Sequence, residues 1–225
     1  MTRPAVVDPP RIAELYQETR ARIIALVTGS DDAPLSTAVA ACPGWSVRDV
    51  VAHLAAVAED VLSGRLVGPP SDEETAAQVA RFAGDDVTAV LAAWATAAAR
   101  MEQLAATAGL ELPLGDIASH EHDIRGALDR AGARDSAAVW CATDKLLANL
   151  RTPVALRVTV EDAEYRSGPD DGVEIRLATT RFEALRWRTG RRSRDQLAAM
   201  DWSGDPTPLL DHLYLFGPAT ADLAE

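Results

Sequence analysis

Apolar side chains recur every three or four residues through the first two-thirds of the chain, the spacing of helices that bury one face. Asp8 caps the first helix, with Pro9 and Pro10 in its first turn, and Ile12, Leu15, Tyr16, Thr19, Ile23, Leu26 and Val27 form its stripe up to Gly29. A loop over 30–42 then ends in Pro43-Gly44-Trp45. Ser46 caps the next helix, Asp49 completes a capping box with Asp in place of Glu, and Val47, Val50, Val51, Leu54, Val57, Ala58 and Val61 form its apolar face. Gly68-Pro69-Pro70 breaks it. Ser71 caps a third helix to about Ala83, and Asp85 or Asp86 opens an Ala-rich one with Val87, Val90, Leu91, Trp94 and Leu104. Leu112-Pro113 precedes a helix over 116–125, and Ser136 caps one holding Val139, Trp140, Leu146, Leu147 and Leu150. Residues 1–150 thus read as a helical unit, most simply a bundle.

After Arg151-Thr152-Pro153 the period drops to two. VALRVTVEDAEY and GVEIRLAT each alternate, and the intervening RSGPDDG is rich in turn residues, so the two runs are expected to pair as a hairpin. Thr179 or Thr180 caps a helix, FEALRWRTG, that ends at Gly190, and Gly204-Asp205-Pro206 opens a last one, PLLDHLYLF. Residues 151–225 form a small α+β domain on this reading. Trp45, Trp94 and Trp140 read as packing residues. The arginines at 186, 188, 191, 192 and 194 read as a solvated basic face.

Composition narrows the function. A net charge of −12 argues against nucleic-acid partners and against attraction to anionic membranes. No apolar run approaches the ~20 residues of a membrane span, and the N-terminus lacks a basic-then-apolar leader, so a cytoplasmic protein is expected. Two cysteines, Cys42 and Cys141, are too few for a disulfide framework. Alanine dominates the apolar fraction and aromatics are only 5%, which favours close-packed helices.

The chemistry concentrates in GDIASHEHDIRGALDR, from Gly115 to Arg130, which carries two of the four histidines. On a helix, Asp116, His120 and Asp123 share one stripe. A carboxylate and an imidazole at i and i+4 can give one divalent metal two ligands from one helix, and His53 is the outstanding donor elsewhere. A lone histidine such as His53 is more often a core residue than a ligand; the second cluster gives it weight.

Three blocks resemble the mycothiol-dependent maleylpyruvate isomerase family. CPGWSVRDVVAHL at 42–54 is similar to its W-[ST]-V-x-D-V-x-x-H-L block, and HEHDIRGAL at 120–128 to its H-x-x-D-[IL] block. ATTRFEALRWRTGRRS and WSGDPTPLLDHL resemble its C-terminal part. The resemblance implies a DinB-like four-helix bundle of up-down-down-up type, followed by a small sterol-carrier-like α+β domain. It implies His53 and His120 as metal ligands, with Asp116 where the family usually has a glutamate. Glu121 and His122 are the substitutes, though they point about 100° and 200° away from His120, and Asp116 is preferred. Asp123 would orient an imidazole. Two imidazoles and a carboxylate leave an open coordination position, the catalytic pattern, with zinc the leading metal and nickel or iron compatible.

The implied cofactor is mycothiol, the low-molecular-weight thiol of actinobacteria, and the implied reaction is isomerisation of, or thiol transfer to, a small electrophilic substrate. Arg191, and also Arg125, would bind the thiol or its substrate, with Arg191 at the catalytic cleft. Arg125 could equally pair with a nearby acid. The alternative is a non-catalytic metal- or ligand-binding member of the same fold. The chain could be a monomer or a homodimer.

Overall fold

The computed structural model describes residues 8–28, 35–66 and 68–224. The proline-rich lead before Asp8 and part of the loop after Thr28 lie outside them. The chain divides into two compact units and passes from one to the other between Gly132 and Ala133.

The first unit holds α1 (Pro9–Thr28), α2 (Val47–Ser63), α3 (Asp72–Ala80), α4 (Val87–Ala108) and α5 (Leu114–Ala127). Their starts follow from the caps written into the sequence. Asp8 Oδ1 accepts from the Arg11 amide at 3.1 Å, and Ser46 and Asp49 form the reciprocal box at α2. Ser71 and Asp86 cap α3 and α4. Gly64 and Gly109 end α2 and α4 in the left-handed conformation that glycine adopts freely. α1 packs on α4 and α5, and α2 packs on the same two helices. The four long helices therefore close a ring, α1–α4–α2–α5, around one core. Val50, Val51, Leu54, Trp94, Met101, Ile117 and Ile124 fill it, and the Trp94 indole N–H donates to the Tyr16 hydroxyl at 3.2 Å. Full burial of each Leu or Ile here contributes about 1.5–3 kcal/mol.

The second unit contains α6 (Ala137–Ala148), β1 (Leu156–Thr159), β2 (Glu164–Ser167), β3 (Ile175–Ala178), α7 (Arg181–Arg188), α8 (Arg194–Ala198), β4 (Asp201–Trp202) and a 3₁₀ turn over Leu210–His212. Sequence periodicity puts the end of the helical part at 150, whereas α6 packs with the residues that follow it. Leu147 and Leu150 join Leu156, Val158, Leu177 and Trp187 in one core, and Thr143 donates to the Arg181 carbonyl. An apolar helical stripe does not say which neighbours will cover it. Trp140 is only half-buried, under the Arg181 guanidinium at 4.3 Å.

The sheet runs β2-β1-β3-β4. The hairpin expected between the two alternating runs does not form. The reversal lies inside the first run, at Glu161-Asp162, where the Val160 N–H donates to the Ala163 carbonyl at 3.0 Å. Val158 then stands opposite Tyr165 in an antiparallel pair, both buried. β3 lies on the other side of β1 and parallel to it. So tight a turn consumes two residues and leaves the apolar pattern almost unbroken, which is why alternation hides it. The Gly-Pro-Asp loop instead joins β2 to β3, two strands with β1 between them. At Gly168, φ is +84° and a Cβ would fall 2.2 Å from the Val154 carbonyl oxygen, so only glycine fits.

Two more expectations change. The last helix is a single 3₁₀ turn, because Leu209, Leu210 and Leu213 reach the core from one turn. Beyond it the Leu215 N–H leaves to bond the Arg188 carbonyl. The arginine run is not a solvated face: Arg186, Arg188 and Arg192 are only 0%, 7% and 6% exposed. Arg192 is held by both oxygens of Glu183, and Arg188 donates to the Leu213 carbonyl. Arg194 alone of the run is exposed.

Candidate metal centre

α5 is buried on every side from Ile117 to Ile124, although five of those eight residues are polar. Buried polar groups require partners, so each side chain shows what its environment offers.

On one face, His53 from α2 meets Asp116 and His120 from α5. His53 Nε2 and His120 Nε2 each lie 3.5 Å from Asp116 Oδ1, and the three donor atoms fall within 4.8 Å of one another. Tetrahedral ligands about 2 Å from a shared ion stand roughly 3.3 Å apart, so these residues fit a divalent metal. Asp116 Oδ2 is buried without a hydrogen-bond partner among the described residues, although the side chain is 32% exposed and gives the cluster a solvent-facing side. Burial opposes the charge on Asp116, but the neighbouring His120 and then His53 outweigh it and hold the carboxyl well below the ordinary range. Burial likewise opposes an imidazolium at His120, and the Asp116 charge outweighs it, raising His120 well above its ordinary value. The pocket thus favours positive charge at His120 Nε2, and a proton and a metal cation compete for the same field.

The other nitrogen of His120 is engaged. Nδ1 lies 2.9 Å from Asp123 Oδ2, whose side chain is fully buried. A hydrogen on Nδ1 leaves the Nε2 lone pair facing Asp116 and His53, the arrangement in which a carboxylate orients a metal-binding imidazole. Cys42, His120 and Asp123 also lie close enough to suggest a second metal group. The 2.9 Å contact is a hydrogen bond, however, and it commits Nδ1 to Asp123. His53 Nδ1 is buried with no hydrogen-bond partner among the described residues, and its ring is set by packing against Trp45, with centroids 5.1 Å apart.

The face of α5 about 100° around from His120 is organised differently. Glu121 accepts from Arg22 Nε and Nη2 at 2.8 and 2.7 Å, and from Arg125 Nε and Nη2 at 3.0 and 2.9 Å. It is fully buried and neutralised, and so is no candidate to complete the triad. His122 is buried but not part of the triad either. Arg125, which the resemblance offered to the cofactor, lies about 140° around the helix from His120 and pairs with Glu121, the nearby acid. Arg191 is half-buried on the turn after α7, with its guanidinium bonded to the Thr189 carbonyl.

Two residues of the site escaped sequence reasoning, and one turn supplies both. Trp45 N–H donates to the Cys42 carbonyl at 3.0 Å, with Pro43 between them and Gly44 at φ +85°, a type II turn. Val39 N–H donates to the Trp45 carbonyl and Val47 N–H to that of Thr37, tying the turn to the start of α2. The Trp45 ring lies over both histidines, 6.4 Å from that of His120, and Cys42 Sγ sits 3.4 Å from Asp123 Oδ2. The Pro-Gly pair was the available signal: it fixes its flanking side chains in space just ahead of His53.

Comparisons with known proteins agree with this architecture. No curated protein sequence matches the chain. A crystal structure of a mycothiol-dependent maleylpyruvate isomerase matches with a TM-score of 0.53 and 15% identity, over 85% of this chain and 92% of that one. A histidine-to-alanine mutant of such an isomerase matches with a TM-score of 0.55 and 15% identity, over 91% and 97%. At that identity the likeness speaks to the fold. The family model of the mycothiol maleylpyruvate isomerase N-terminal domain matches residues 16–161, well over half of the sequence, and the chain belongs to that family.

Proposed function

We propose that this protein is a divalent-metal-dependent enzyme that uses a low-molecular-weight thiol, mycothiol, to isomerise a small electrophilic substrate or to transfer the thiol to it. The observation carrying this reading is the convergence of His53, Asp116 and His120 on one point, with the rear nitrogen of His120 held by Asp123. These three residues would hold the cation, zinc in the first instance, which supplies a position where a thiol gives up its proton and is kept as the nucleophilic thiolate. The chain's own groups do the rest. Asp123 keeps the proton of His120 on Nδ1. Trp45 covers the histidines and limits water around them. Asp116 provides the open side.

Thiolate addition to a cis double bond leaves a single bond free to rotate, and elimination returns the thiol and the trans isomer. The same nucleophile attacking a carbon that bears a leaving group gives S-transfer. Arg191 is assigned to a carboxylate or hydroxyl of the thiol or substrate, because an arginine fork suits such groups. Arg125 is committed to Glu121 and takes no part in this reading.

The test is metal content followed by thiol dependence. Purified protein should carry about one equivalent of metal, lost in His53→Ala and in His120→Ala. With mycothiol present it should turn over a cis-enoic acid or an alkyl electrophile. Arg191→Ala should raise the thiol concentration needed and leave the metal in place. A protein that neither holds metal nor changes its melting with chelators would be a binding module of the same fold.

A further inference from the structure

We infer that Cys42 is a positioning residue for this centre: its thiol and the His120 imidazole converge on the same oxygen of Asp123, so Cys42 sets how firmly His120 is presented. The inference rests on the metal-centre reading and adds to it a residue outside the ligand set.

The geometry begins with the backbone. Cys42 N–H donates to the Val39 carbonyl at 2.9 Å and its own carbonyl accepts from Trp45. Both sides of the residue are fixed, and the Pro43-Gly44 turn leaves little freedom at its Cα. Sγ is thereby held 3.4 Å from Asp123 Oδ2 and 3.9 Å from His120 Nδ1. That oxygen is the one 2.9 Å from Nδ1. A carboxylate oxygen has two lone-pair sites, so it accepts from the imidazole N–H and the thiol S–H together.

The Asp123 side chain is fully buried, and water does not readily replace a donor that is taken away. The thiol restrains the carboxylate from rotating about its last bond and so holds the acceptor in line with Nδ1. A metal-binding imidazole depends on such a partner for its orientation, and losing one costs about 10- to 100-fold in metal affinity. Cys42 stands one bond further out, so its effect is smaller and passes through Asp123. The thiol forms no covalent bond here, and Sγ lies on the side of His120 away from the converging nitrogens.

Zinc affinity, measured by competition with a chromophoric chelator, tests this in wild type, Cys42→Ala, Cys42→Ser, Asp123→Asn and the Cys42→Ala/Asp123→Asn double variant. Cys42→Ala is expected to weaken zinc binding by about three- to tenfold, the scale of one lost hydrogen bond. Cys42→Ser, which keeps a donor, should return to within about twofold of wild type. Asp123→Asn should cost more than Cys42→Ala, and adding Cys42→Ala to it should change nothing further. A Cys42→Ala protein that binds zinc as tightly as wild type overturns the inference. So does a loss that persists undiminished on the Asp123→Asn background, or one that serine fails to rescue. A wild-type protein with no zinc affinity defeats the metal-centre reading itself and this inference with it, an outcome distinct from a zinc-binding wild type indifferent to Cys42.

Discussion

Glu121 and His120 are neighbours in sequence and stand on α5 about 100° apart, yet their surroundings differ in kind. Around Glu121 two guanidinium groups, Arg22 and Arg125, deliver four N–H bonds to one carboxylate. Charge and hydrogen-bonding capacity are both satisfied. Around His120, an imidazole from α2 and a carboxylate from α5 bring lone pairs to one point, with no arginine or lysine paired to Asp116 among the described residues. Both clusters lie mostly below the surface and both contain a carboxylate. What separates a clamp from a ligand site is therefore not burial but whether the acceptors already hold their cations. The Asp116 charge is met only by an imidazolium proton that a metal cation can displace, so donors converging in this way mark a place where a cation can be bound.

The largest expected effect breaks the clamp. Glu121→Ala leaves Arg22 and Arg125 without their shared anion and should cost about 3–5 kcal/mol of stability in denaturant melts. Folded Glu121→Ala protein should still bind zinc; if it lost zinc along with stability, the two clusters would be one. The ligand side comes next. His53→Ala and His120→Ala should each lower zinc affinity by more than about 100-fold, beyond the loss caused by removing an outer partner, and Asp116→Asn should fall between wild type and these. Retained affinity in His53→Ala would remove α2 from the centre.

A third carboxylate sharpens the rule. Asp60 on α2 is buried, and burial alone would raise its pKa. Donors from Gln78, Arg65 and Arg81 outweigh that and hold it below the ordinary value. Its folded-state pKa is the lower one, so its stabilisation is present above the unfolded pKa near 4 and is lost as pH falls through the folded value. Asp60→Asn should cost about 1–3 kcal/mol at neutral pH, flatten the acid limb of the stability curve and leave zinc binding unchanged. The smallest effect belongs to Arg125→Lys, at about 1 kcal/mol or less, since Arg22 still grips Glu121 with two bonds. If that variant needed markedly more thiol for turnover, Arg125 would have the cofactor role that the resemblance suggested.

The helical unit was far more legible than the second one, for a physical reason. Helix hydrogen bonds close within the segment, so caps such as Ser46 with Asp49 write the starts locally, although α2 and α4 end at Gly64 and Gly109, ahead of the expected breaks at Gly68-Pro69-Pro70 and Leu112-Pro113. Strand partners are chosen at a distance, and alternation is the same for a strand that turns back early as for one that continues. The reversal at Glu161-Asp162 and the parallel pairing of β1 with β3 were hidden for that reason. The buried arginines were misread similarly, because Arg192 is satisfied by Glu183, which lies nine residues away.

By itself, the sequence determined the order of the helices of the first unit and the caps that start most of them, the i, i+4 placement of Asp116 and His120 on one face, and the family resemblance carried by the blocks around His53 and His120. Each depends on spacing within a single segment, which the 3.6-residue period fixes. Only the tertiary structure decided that α2 brings His53 to within 3.5 Å of Asp116, that Glu121 belongs to a clamp rather than to the centre, and that Cys42 and Trp45 close over α5. Those outcomes depend on which helices pack together and at what rotation. That is a balance of burial over the whole core that no single stretch of sequence contains.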